Sequence, residues 1–214
     1  MDAATLQARI YAGYAKAALR IGQTADQHRA TSASNPMAAG TKLRAIMASF
    51  NAEDVGYKKP NKYGHPTWFG IFDGSLTQPG DYLTGAFGTF FIAAQQLHLP
   101  ILCVQCNSVV TIKRPQQQAG VGALGYGGNT DAGETALMTG WPASVLQGGG
   151  GDRSDVGLPG DTKNPQWSVL LPAYGVVALR SGDIITDDIG KRMVISSAEK
   201  TDLGWRIVAM QEQT

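Results

Sequence analysis

A mainly β chain is predicted, a small barrel or sandwich with a duplicated hairpin unit, an amino-terminal α-helix and a long glycine-rich loop, and three features of the 214 residues point to it. From residue 42 onward the sequence breaks into short runs rich in Val, Ile, Thr and aromatics, each bounded by turn formers. One glycine-aspartate pattern occurs twice, and about half of the 27 glycines fall between residues 115 and 165.

The helix comes first. Leu6, Ile10, Tyr14, Ala17 and Ile21 recur at spacings of three and four and so share one face, while Arg9, Lys16 and Arg20 lie off it. Asp2 caps its start, and Gly22 with the run from Thr31 to Pro36 marks its end and a linker. Gly13 and the many alanines weaken it, so it needs a partner surface; Leu6, Ile10, Tyr14 and Ile21 are the expected docking residues.

Strand-like runs follow at 43–50, 67–72, 81–84, 89–95, 101–113, 168–171, 176–179, 183–186, 191–198 and 205–211. Several such strands closely spaced predict a small barrel or sandwich. The chain thus divides into a docking helix at 1–30, a linker at 31–41, a first β unit at 42–114, a glycine-rich insertion at 115–166 and a second β unit at 167–214. The two β units together can make one domain. The insertion has too few side chains for a core, and Gly148, Gly149 and Gly150 are expected to order against a neighbouring subunit.

The duplicated pattern starts at Gly80-Asp81 and Gly182-Asp183, and Gly80 through Ile92 lines up without gaps on Gly182 through Val194. Gly-Asp, a threonine and a later glycine are identical. The physical reading is a short strand, a hairpin whose glycine takes positive φ, and a returning strand with apolar residues facing inward. A third strand follows each copy, at 101–106 and 205–210.

A unit of this form resembles the β-barrel unit of head-tail joining, stopper and related neck or tail proteins of tailed bacteriophages, over roughly residues 67–113 and 176–213. The added helix, the second copy and the glycine-rich middle depart from a single-barrel stopper. The resemblance implies a virion structural protein, assembled in the bacterial host cytoplasm as a homo-oligomeric ring around the DNA channel. Its partners would be portal, adaptor or tail-tube proteins of the same particle.

Composition agrees with a subunit. Charged residues make up 16% against a usual ~25%, so the surface costs less to desolvate against a neighbour. A net charge of +1 is too balanced for a protein whose main task is gripping nucleic acid. Non-specific contact with channel DNA is expected only at Lys58, Lys59 and Lys62, which stand between Tyr57 and Tyr63. No run approaches the ~20 apolar residues of a membrane span, and neither a signal peptide nor membrane attachment is expected.

Motifs of chemistry are weak. Gly120-Val121-Gly122-Ala123-Leu124-Gly125 spells a dinucleotide loop, but Gly127-Gly128-Asn129 stands where its helix should begin. Cys103 and Cys106, three apart in a strand, point to opposite faces and lack a second cysteine pair for zinc. His28, His65 and His98 sit in unrelated settings, and Arg153 opposes calcium at Asp152, Asp155 and Asp161. The expectation is a non-enzymatic protein without cofactor or metal. A second reading is a carbohydrate- or receptor-binding β module of a phage particle, with Trp141 and Trp167 exposed as a stacking platform; a hydrolase with a dispersed site is a third.

Overall fold

The structure is a computed structural model that describes residues 2–52, 63–116, 133–148 and 165–212. It opens with helix α1 (Ala3–Ile21), whose first turn is capped as expected, the Asp2 carboxylate accepting the Thr5 N–H at 2.8 Å. Gly22 ends the helix where β2 comes close: a side chain there would strike the carbonyls of Ala18 and Ala48.

Twelve strands follow among the described residues, closing into two antiparallel barrels. The first contains β1 (Gln23–His28), β2 (Lys42–Ala52), β3 (Thr67–Ile71), β4 (Tyr82–Gly85), β5 (Gly88–Ala94) and β6 (Ile101–Cys106). Its order is β1-β2-β3-β6-β5-β4, with β4 pairing back to β1. The second contains β7 (Ser108–Pro115), β8 (Glu134–Gln147), β9 (Gln166–Leu171), β10 (Ile184–Thr186), β11 (Arg192–Thr201) and β12 (Gly204–Gln211), and closes in the same order, β7-β8-β9-β12-β11-β10. The mainly β expectation holds. The duplication is deeper than a hairpin, because each half of the chain is a complete barrel with no free sheet edge.

The Gly-Asp pair nucleates the same construction in both barrels. Gly80 and Gly182 take φ of 91° and 89°, open only to glycine without strain. In each case the glycine N–H and the aspartate carbonyl bond to an isoleucine, Ile92 in the first barrel and Ile195 in the second. The aspartate side chain turns inward. Asp81 is gripped by Arg29 through Nε and Nη2, both at 2.7 Å, and Asp183 by Arg114 at 2.7 and 2.8 Å. Each carboxylate also accepts a backbone N–H three residues earlier, from Gln78 and Arg180. A bulge then falls at Ala93 and at Ser196, one residue past each isoleucine.

Strands β4, β5 and β6 are buried on both faces. Leu83, Phe90, Ile92, Ile101 and Cys103 point into the first barrel, whereas Tyr82, Phe91, Ala93 and Val104 join the core cluster of the second. That is why Phe90-Phe91-Ile92-Ala93-Ala94 reads as a continuous apolar run. The barrels are tied further by Tyr82, whose hydroxyl donates to Pro142 O at 2.8 Å, and by Asn107, whose amide bonds both the N–H and the carbonyl of Val145.

Several expectations need correction. The polar run Gln23–His28 is a strand, β1, and not the tail of the helix region. Residues 31–41 form a strap laid on the second barrel, with Ala33 O accepting from Thr139 N and Trp141 Nε1. Glu134–Gln147, read as part of a loop, is the long strand β8. The run 101–113 is two strands broken at Asn107, where the chain passes between barrels. Residues 176–179 form no strand, and Val176 lies in a turn. The line-up of the repeats slips by one after the hairpin: four residues separate the paired Thr84 and Thr89, but five separate Thr186 and Arg192. Ile92 therefore matches Ile195, not Val194.

Candidate interaction surfaces

Helix α1 docks on its own barrel through a stripe rotated from the expected one. Gln7 and Ala18 are buried, and Tyr11 and Tyr14 pack on the first core, with the Tyr11 ring filling the space over Gly74. The spacing four, three, four suits a helix face. Of the expected residues, Tyr14 is half-buried on the barrel core and Ile10 is half-buried, but Leu6 and Ile21 remain 41% and 59% exposed, and Leu19 is 68% exposed. The tyrosines decide the rotation, since they offer more area to bury than Leu6 or Ile21.

The first turns of α1 are pinned by His98. Its N–H donates to Gln7 Oε1 at 2.6 Å, and its Nε2 lies 3.2 Å from Ala3 O. The flanking Leu97 and Leu99 are both exposed. Of the thirteen large apolar residues exposed among the described residues, five lie on α1 or on the segment tied to its first turns.

At the other end of α1, a cavity of about 220 Å³ opens among Ile21, Phe50, Trp68, Phe87, Phe90 and Gln105. The start of β1, the end of β2, the start of β3, the β4–β5 turn and the end of β6 all meet at this end of the barrel, so the cavity is its mouth. The walls are aromatic: Phe50 stacks on Phe90 at 3.9 Å between centroids, and Trp68 and Phe87 meet Phe90 edge-on. A second cavity, about 180 Å³, lies between the barrels, lined by His65, Gln105, Asn107 and Ser144 among others.

The matching end of the second barrel carries a cation over its tryptophan. Trp167 matches Trp68, each standing opposite β12 or β6 in the same register, and Lys191 Nζ lies 3.7 Å over the Trp167 ring. Trp141 is buried between Tyr82 and Tyr174. The expected platform of exposed Trp141 and Trp167 is therefore not formed.

Glu134 lies 2.7 Å from Arg192 and 3.5 Å from Lys113, and the Arg192 hydrogen bond holds its carboxyl below the ordinary value. His28 meets Thr41 Oγ1 at 3.2 Å, and burial pushes its pKa down. Burial raises both Cys103 and Cys106 thiols, which keeps them protonated and unreactive. They diverge as expected, Cys103 into the first core and Cys106 toward the second. No group of three metal-ligating side chains converges among the described residues. No helix there is long and apolar enough to cross a membrane.

Gly148 extends the β8–β9 pairing, its N–H donating to Gln166 O at 2.8 Å. Gly149 and Gly150, the lysines Lys58, Lys59 and Lys62, the dinucleotide-like glycines and Asp152, Asp155 and Asp161 lie outside the described residues. Sequence reasoning missed the arginine clamps and the aromatic mouth. The signal for the clamps was faint but present, since Arg29 and Arg114 each stand at the end of a strand that pairs with the one following Gly-Asp. Comparison with protein-family models, with curated proteins and with solved structures finds no match to this chain.

Proposed function

We propose that this chain is a structural subunit of a tailed-phage connector or tail, which self-associates into a ring around the DNA channel and contacts adjacent rings. The observation that carries this reading is the number of large apolar side chains left in water on α1 and the segment bonded to it: Leu6, Leu19 and Ile21 on the helix, and Leu97 and Leu99 on either side of His98. Leu19 alone leaves most of its side chain in water, which burial against a neighbour would relieve by about 1.5–3 kcal/mol. Rigid barrels support the same role. Closed sheets leave no edges for uncontrolled pairing, so association is left to chosen side-chain surfaces.

Mass photometry and sedimentation velocity test the reading. The expected result is a discrete large species whose mass is an integral multiple of 22.6 kDa, seen as closed rings by negative-stain microscopy. A monomer at every concentration overturns it. Leu19→Asp, at an exposed helix position, should abolish the large species while leaving the thermal midpoint within a few degrees.

A further inference from the structure

Both barrels are entered in the same way. Matched through the pairing of β1 with β4 and of β7 with β10, Gly22 corresponds to Asn107, so α1 leads into β1 as β6 leads into β7. The two leading elements also lie on matching strands, α1 on β2 and β6 on β8. They meet those strands at the same point: a side chain on Gly22 would strike Ala48 O, and the Asn107 N–H donates to the counterpart, Ala143 O, at 3.0 Å. On the first barrel, then, α1 fills the place that the first barrel itself takes on the second.

The counterpart of β6 in the second barrel is β12, and its outward face is less covered. Val104 is 3% exposed and Leu102 packs in the cluster between the barrels, whereas their matches, Met210 and Val208, are 37% exposed and half-buried. Beside them Val194 is half-buried where the first barrel has the fully covered Phe91. The hold on α1 is also modest. Gly13 interrupts the helix, and docking buries Gln7 Nε2 without an acceptor.

We propose that α1 is a displaceable cap, and that when it lifts from β2 the outward face of β12 in a second copy takes its place, as β6 does on β8. The partner is a second copy because the chain already holds this contact once, between the counterparts of the two faces. One face is on the first barrel and the other on the second, so the contact is heterologous and adds copies head to tail. Release exchanges the packing of Tyr11 and Tyr14 for burial of Val208 and Met210. Ser196 stands where the first barrel has Ala93, which makes this face less apolar than its counterpart and suits a contact formed only on release. The cap goes beyond the ring reading, which uses the exposed residues of α1 and not the face it hides.

The test is made on the full chain carrying Leu19→Asp, so that association through the exposed side of α1 is already removed. Two substitutions lift the helix independently: Tyr11→Ser removes its anchor, and Gly74→Ala places a methyl group against the Tyr11 ring. Amide exchange should quicken in α1 in both, and by sedimentation velocity each should lower the concentration at which copies associate by about tenfold or more. Adding Met210→Asp, at an exposed position, should reverse that gain. An α1 that exchanges no faster in either variant, a freed α1 without association, or association indifferent to Met210→Asp overturns the cap. None of these outcomes touches the ring reading, which Leu19→Asp against wild type decides.

Discussion

The two barrels share strand order, arginine clamp, left-handed glycine and bulge, yet their interiors are made of different material. The first sets Phe72 and Phe90 among Ile46, Leu83, Ile92 and Ile101, with Phe50, Phe87 and Trp68 half-buried against them; the second sets Trp141 and Trp205 among Val110, Ile112, Met138, Val169, Met193, Ile195 and Ile207. The contrast teaches that closure of such a barrel depends on a few backbone-directing residues, while the packing inside can change as long as volume is kept. It also shows where divergence gathered. Among the described residues, the first barrel has an aromatic-lined cavity beside α1, and at the matching tryptophan of the second Lys191 stands over Trp167.

The largest test of this contrast is at matched core positions. Trp141 and Ile46 occupy equivalent places on β8 and β2, opposite Val110 and Ala25. Trp141 is fully buried and also donates to Ala33 O, so Trp141→Ala should cost about 4–5 kcal/mol by urea unfolding, against about 2 kcal/mol for Ile46→Ala. Equal costs would mean that Trp141 does no more than fill its own barrel.

A middle-sized effect separates the clamps. Asp81→Ala and Asp183→Ala should each destabilise by about 2–4 kcal/mol, moderated because Arg29 and Arg114 are roughly a third exposed and regain water. Asp81 accepts one further bond, from Gln27 Nε2 at 2.7 Å, where the second barrel has Ile112. Its removal should cost about 1 kcal/mol more. Gln27→Ile should shrink the gap between the two aspartate variants; no change would show that the extra bond is energetically idle.

The smallest effect is one of pH. His28 is buried with its pKa below the ordinary 6.5, chiefly by desolvation, so the unfolded chain takes up a proton at higher pH than the folded one. The stability gained by keeping His28 neutral is complete above 6.5 and is lost as pH falls through the lowered folded value. The matching residue in the second barrel is Lys113, and its partner Glu134 has a carboxyl held below 4.5, so acid weakens that barrel only at lower pH. Amide exchange should therefore accelerate in β1 and β2 before it does in β11 as pH is lowered, and His28→Gln should remove the difference.

Much of this architecture was legible because its signals are local. The helix start at Asp2, the stop at Gly22, the Gly-Asp turns and the alternating Trp68-Gly70-Phe72 face all act within a few residues. What escaped notice depended on distant partners. Gln23–His28 is polar and looks like a loop, but β2 and β4 on either side pair with its backbone, and Gln27 is buried only because Asp81 answers it. Glu134–Gln147 carries Gly140 and Pro142, which argue against a strand, yet a bulge at Gly140 and the pairing with β7 and β9 absorb both.

By itself, then, the order of residues determined a β protein with a leading helix and a repeated turn, because periodicity and glycine stereochemistry are properties of short segments. Tertiary structure decided that the repeat is a whole barrel, which face of α1 is left bare, and that the matched tryptophans Trp68 and Trp167 meet different neighbours, Phe90 and Lys191. Those outcomes turn on competition for buried area among residues far apart in sequence: Tyr11 and Tyr14 against Leu6 and Ile21, and Phe87 packing on Phe50 and Phe90 while Ile189, on the longer matching turn, stays exposed.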